Sequence, residues 1–296
     1  MKRNIQCHPR EGGFTFLFNS MASPCEVLID CDDQKLATKV AESVAKEAWR
    51  IEDKFSRYNQ TSVCGQLNAK AGELCSIDNE TYLLLQFADQ CFQMSEGLFD
   101  ITSGILRRAW HFDGSDNIPT QENIASLLPF IGWSKVELTE TSFKMLENME
   151  IDFGGLGKEY AVDKAIITAQ TIADFPVLIN FGGDIAVTGL RANQQSWLVG
   201  IEHPSLSEQN NVMVKIKSGA IATSGDANRY LLKEGKRYGH VLNVKTGWSV
   251  EDPPDAITVA APKCIQAGFL ATLALLQGKD AENFLMAQEI KHWAIR

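Results

Sequence analysis

The residues that could do chemistry fall in four stretches, each mixing glycine with acids, bases or hydroxyls. In FDITSGILRRAWHF (99–112), Asp100 and two hydroxyls precede Arg107 and Arg108; an exposed helix face or contact with a diphosphate would each account for the two arginines. In IDFGGLGKEYAVD (151–163), Asp152 closes an expected strand, and Gly154, Gly155 and Gly157 let backbone come close to a ligand. The helix start that follows can face a phosphate, and Lys158 adds a point charge. The spacing is not that of a GxGxxG turn, and alone it describes a plain tight turn equally well.

INFGGDIAVTG (179–189) reads as a hairpin turning at Gly182–Gly183, with Asn180 and Asp184 bonding local backbone. AIATSGDANRY (220–230) and YGHVLNVKTGW (238–248) put a Thr-Ser-Gly corner and His240 on what read as neighbouring strands, so that their side chains would converge on one pocket. His240 ionises in the right range for a general base at neutral pH; a structural strand histidine is the alternative.

Several elements must position these groups. Residues 14–31 alternate apolar groups as a strand pair would, with Pro24 and nearby small residues marking a turn or bulge. From Gln34 to Phe55 the period becomes helical, with Ala37, Val40, Val44, Ala48 and Ile51 near one face. TYLLLQFADQCFQMSEG is a second helix stopped at Gly97, and residues 160–173 a third. VLINF, DIAVTG, WLVGIEH, VMVKIKSGAIAT, GHVLNV and ITVAA read as strands, and CIQAGFLATLALLQG as a buried helix ending at Gly278. The fold class expected is α+β, a largely antiparallel sheet with packed helices. No linker-like stretch divides residues 1–296, so a single domain is expected, with residues 1–13 disordered.

Composition narrows the function. A net charge of -9 argues against a nucleic-acid or anionic-membrane surface, which needs clustered Lys and Arg. No apolar run is long enough for a membrane span or a signal-peptide core. Seven cysteines lack metal-binding or CxxC spacing, which fits a reducing cytoplasm. Trp110, Trp133 and Trp197 read as core or edge packing, and the methionines as core filler.

Taken in order, NSMAS, FSRYNQTSVCGQLN, LFDITSG, DFGGLGKEYAVD, NFGGDI, AIATSGDANRY and GHVLNVKTG make the chain resemble the ApbE family of FAD:protein FMN transferases, roughly from Ser20 to Gly278. The resemblance implies a T-fold-like architecture holding FAD between two intertwined lobes. It also implies Mg²⁺-dependent transfer of FMN from FAD to a Thr or Ser of a target flavoprotein, with AMP leaving. By the same resemblance Met21, Tyr58, Leu98, Phe99 and Asp100 line the adenine and ribose side. Asp152 and Lys158 make further FAD contacts, and Val241 or Leu242 packs near the flavin. The Gly155 carbonyl and Thr272 hydroxyl are implied metal-binding positions; His240 is the implied proton carrier, and Lys158 could neutralise developing charge.

One departure bears on the chemistry. Where the family has an ADALAT-like stretch whose Asp ligates Mg²⁺, this chain has AGFLAT, with Gly268 at the carboxylate's place. Gly157 and Glu159 also stand where Ala and Gly are common. A replacement acid could be Asp184, Asp226, Asp255 or Glu159, although a Glu in a first helical turn is often only a dipole-stabilising residue. Otherwise FAD itself holds most of the metal, or the protein carries FAD without transferring FMN, or water replaces the acceptor and FAD is cut to FMN and AMP.

Overall fold

A computed structural model describes residues 3–201, 212–225 and 230–296. In chain order its elements begin with β1 (Gln6–Arg10), β2 (Gly13–Ser20), β3 (Ser23–Ile29), α1 (Gln34–Phe55), α2 (Val63–Ala69), β4 (Cys75–Ser76) and α3 (Asn79–Met94). A 3₁₀ segment (Ile101–Arg108), α4 (Gln121–Leu127), β5 (Glu137–Leu138), β6 (Ser142–Lys144), α5 (Gly157–Ile172), β7 (Val177–Phe181), β8 (Asp184–Val187) and β9 (Trp197–Ile201) follow. The remainder holds β10 (Val212–Ile216), β11 (Gly219–Gly225), β12 (Tyr230–Lys233), β13 (Lys236–Gly239), β14 (Ala256–Ala261), α6 (Cys264–Leu276), α7 (Ala281–Ala287) and β15 (His292–Ile295).

Eight strands form the main sheet in the order β1-β2-β3-β7-β8-β11-β14-β15. Every pairing in it is antiparallel, which bears out the expected class. α1 forms where an apolar stripe from Ala37 to Phe55 recurs at helical spacing, and the Asp33 carboxylate caps it by accepting from the backbone N–H groups of Lys35 and Leu36. Together α1, α5 and α6 cover one face of the sheet and build the main core with Phe16, Val27, Ile179 and Val259. On the other face the β9–β10 ribbon packs Trp197, Val199 and Ile216 against Leu178, Ile185 and Ile221. A third core gathers the 3₁₀ segment, α4, Leu231 and Trp248 around Trp110. The three tryptophans read as packing residues are all buried.

Two expectations are corrected. The stretch expected to be disordered supplies β1, in register with β2 from Gln6 opposite Leu17 to Arg10 opposite Gly13. As an edge strand it is held by backbone bonds and by Arg10 paired with buried Asp30, so it needs no apolar alternation. GHVLNV is a loop rather than a strand: Asn243 accepts backbone N–H bonds from Thr246 and Gly247, and Gly247 sits at a φ of 73°. A Cβ on Gly247 would come within 2.4 Å of Ile124, so a glycine lets this loop settle on the third core.

α6 starts where it does because Asp163, on α5, accepts from the backbone N–H groups of Cys264 (2.8 Å) and Ile265 (3.0 Å). Lys263, at the N-cap position, makes no capping bond of its own. Asp163→Ala should therefore lower stability by about 1–2 kcal/mol, read as a shifted urea midpoint at unchanged slope.

Candidate active site

The strand ends and loops on one side of the sheet enclose a cleft of about 2360 Å³. The β2–β3 turn contributes Ser20, Ala22 and Ser23, the exit of α1 contributes Arg57 and Tyr58, and the β7–β8 turn contributes Asn180, Gly182 and Gly183. Leu98, Phe99, Asp100, Asp152, Gly155, Lys158, Glu159, His240, Val241, Leu242 and Thr272 also line it. Of the residues that the family resemblance implies for FAD, metal and proton transfer, all but one thus line this cleft. The exception is Met21, whose side chain packs on the main core while its backbone N–H donates to Glu52 Oε1 at 2.8 Å. Met21 and Ala22 both have positive φ, 51° and 56°, and this non-glycine turn is strained backbone at the rim of the cleft.

The β7–β8 connection is the hairpin expected. Gly182 and Gly183 take φ of 61° and 96°, and a Cβ on Gly182 would meet the Ser23 side chain at 2.7 Å. The Thr-Ser-Gly corner and His240 are not on neighbouring strands: β11 belongs to the main sheet, whereas β12 and β13 form a separate ribbon. Ser224 and His240 nonetheless face the same cleft. The Thr272 hydroxyl donates to Ser224 Oγ at 3.1 Å, which joins α6 to β11 at the wall.

Asp100 lines the cleft, but its carboxylate is already engaged. Oδ1 accepts from the N–H and hydroxyl of Thr102, and Oδ2 accepts from the Trp133 N–H at 2.8 Å. Burial holds its carboxyl above the usual range. It caps the 3₁₀ segment and so orients Arg107. Arg107 Nε lies 3.3 Å from Asp152 Oδ2, and its Nη1 donates to the Tyr58 hydroxyl at 2.5 Å. Arg57, which the sequence reading passed over, donates to the same Asp152 oxygen at 3.2 Å. Two guanidiniums therefore share one carboxylate, leaving a surplus of positive charge on this wall, the environment an anionic diphosphate needs. Arg108 instead pairs with Glu150 and lies outside the cleft lining.

At the foot of α5 two buried acids, Glu159 and Asp184, lie beside the half-buried Lys158. Lys158 Nζ lies 2.5 Å from Asp184 Oδ2, and Asp184 Oδ1 accepts from the Thr223 N–H at 3.3 Å. Burial pushes the Asp184 carboxyl up, against the pull of Lys158. Burial and then the charge of Asp184 push Glu159 well above the usual carboxylate range. Glu159 is only 8% exposed, and its Oε2 has no hydrogen-bond partner among the described residues. Asp255 is bonded to Arg237 outside the cleft lining, Asp226 lies outside the described residues, and Asp184 is committed to Lys158. Among the described residues no group of three His, Cys, Asp or Glu side chains stands ready to hold a metal.

The sequence profile of the ApbE family matches residues 21–294. The chain belongs to the ApbE family. It is 27% identical over 237 residues to the FAD:protein FMN transferase of Vibrio cholerae, covering 78% of this chain and 71% of that protein. Its identity to the enzyme of the same name from Salmonella typhimurium is 30% over 207 residues, covering 66% and 58%. The crystal structure of the ApbE protein of Thermotoga maritima superposes with a TM-score of 0.85 at 25% identity, covering 99% of this chain and 94% of that one. Apo flavinyl transferase ApbE of Pseudomonas stutzeri shares the fold at a TM-score of 0.85 and 21% identity. The ApbE-type architecture expected from the motifs is thus borne out.

Gly268, on α6, lies against the Glu159 side chain. A Cβ built there would stand 2.5 Å from Glu159 Oε1, 2.6 Å from its Cγ and 2.8 Å from its Cδ. Glycine at 268 is what leaves room for the Glu159 carboxylate. The variant Gly268→Asp should therefore not be accommodated without rearrangement. It should displace Glu159, crowd a further carboxylate against Glu159 and Asp184, and destabilise the fold by about 1–3 kcal/mol in thermal or urea unfolding.

Proposed function

We propose that the chain is an FAD:protein FMN transferase that moves FMN from FAD to a Thr or Ser hydroxyl of a target flavoprotein, using Mg²⁺. The observation that carries this reading is that the separated motif residues line a single cleft whose wall holds Arg57 and Arg107 and whose floor holds Lys158. A dinucleotide diphosphate matches that distribution of charge. The names of the relatives, which span most of their own length in common with this chain, support the same activity.

In the reaction proposed, the acceptor oxygen attacks the FMN-side phosphorus, the bond from that phosphorus to the bridging oxygen breaks, and AMP leaves with the electron pair. The acceptor's proton passes to His240, which lies at the cleft beside the Phe112 ring, their centroids 6.3 Å apart. A hydroxyl is a poor nucleophile at neutral pH, so a nearby imidazole lowers the barrier in the usual manner of general-base catalysis. Lys158, Arg57 and Arg107 offset the charge that gathers on the phosphoryl oxygens. Tyr58, 79% exposed at the mouth, offers a ring face for the adenine side.

The residues fit Mg²⁺ of the kind held by one or two carboxylates with phosphates and waters filling the other positions. Glu159 Oε2 is a buried oxygen without a hydrogen-bond partner among the described residues, and the hydroxyl of Thr272 and the carbonyl of Gly155 belong to residues on the same cleft. When bound, the metal would screen the negative charge of the diphosphate.

The test is incubation with FAD, Mg²⁺ and a candidate acceptor flavoprotein, followed by intact mass measurement and AMP assay. The expected outcome is an acceptor heavier by one FMN with equimolar AMP, lost in EDTA, and slowed about 10²- to 10⁴-fold by His240→Ala. Failure to modify any of several acceptors would refute the transferase reading. FAD binding indifferent to EDTA would then identify a carrier, and AMP release without acceptor would identify a hydrolase.

A further inference from the structure

The carboxylate missing from α6 has a counterpart in space. Gly268 and Thr272 are four residues apart on α6 and so share one helix face. A side chain at 268 would begin where the Glu159 carboxylate now sits, 2.5 Å from Oε1. Glu159 reaches that point from the first turn of α5, an element on the other side of the contact. Its Oε2 is unpartnered among the described residues although the residue is more than nine-tenths buried and lines the cleft. The neighbouring ammonium, Lys158, is hydrogen-bonded to Asp184 instead. Burying a carboxylate oxygen without a partner costs several kcal/mol, and a cation bound at that oxygen would offset the cost.

We propose that Glu159 supplies the metal-ligating carboxylate of this chain, delivered from α5 instead of α6, and that Gly268 is the glycine that makes room for it. The inference rests on the transferase reading and adds to it the source of the ligand. Exchange of the acid between two helices keeps one negative charge at one point of the cleft. It also explains why two departures from the family pattern, at positions far apart in the chain, lie so close that a Cβ at 268 would overlap the Glu159 side chain.

The experiment uses the full chain and Mn²⁺, whose free and bound forms are distinguished by electron paramagnetic resonance, in the presence of FAD. Four proteins are compared: wild type, Glu159→Gln, Glu159→Gly, and the exchange variant Glu159→Gly/Gly268→Asp. Each is also titrated with FAD in EDTA. Glu159→Gln keeps the shape of the side chain and should weaken Mn²⁺ binding by roughly tenfold or more. Glu159→Gly should do the same, and the exchange variant should return to within about threefold of wild type, since the acid then comes from α6. Unchanged Mn²⁺ affinity in Glu159→Gln would overturn the assignment, as would an exchange variant no better than Glu159→Gly. If wild type takes up FAD but no Mn²⁺, the metal assignment alone falls. If wild type takes up no FAD, the transferase reading falls with it.

Discussion

The burial of Glu159 and Asp184 beside the half-buried Lys158 at the foot of α5 is the constraint around which the site is organised. Taking charges out of water is costly unless a partner at close range offsets it. Lys158 and Asp184 match one another, and the Thr223 N–H supports the acid from β11. This fixes α5 against β8, which is bonded to β11, so the helix start, the β7–β8 turn and the Thr-Ser-Gly corner are tied into one unit. A two-glycine turn at 182–183 is part of that arrangement, because a side chain at 182 would collide with Ser23 on the next hairpin.

The same economy governs the opposite wall. The chain carries a net charge of -9, yet Arg57 and Arg107 both converge on Asp152. One carboxylate holds two guanidiniums in place without neutralising them both, so an acidic protein presents positive charge on the wall where an anionic ligand would lie. Asp100 serves this wall indirectly. Its oxygens hold the turn that opens the 3₁₀ segment, and the segment aims Arg107 inward and Arg108 outward to Glu150.

Three apolar cores meet at the cleft, each responsible for one part of its lining. The main core seats α5 and α6 on the sheet, with Phe269 set edge-to-face against Phe99 at 5.4 Å. The second core holds the sheet's far face under the β9–β10 ribbon. The third anchors the loop that bears His240, Val241 and Leu242, through Trp110 Nε1 donating to the Gly247 carbonyl at 2.8 Å. A loop is suited to carry reactive groups when a packed scaffold underneath fixes its ends.

What was legible in the sequence was whatever near neighbours encode. The bounds of α1 follow from an apolar stripe at helical spacing, and the β7–β8 turn follows from paired glycines between apolar runs. The order of the motifs was enough to indicate the family. Contacts between distant segments carry no local period, and these only the tertiary structure decided. It alone showed that Arg57 faces the cleft, that Met21 turns to the core, that Asp100 is spent as a cap, and that β1 is held by its partner strand. The meeting of Glu159 with Gly268 is the clearest case, since each position read by itself is only an unusual residue, and their relation exists because α5 and α6 pack side by side on one sheet.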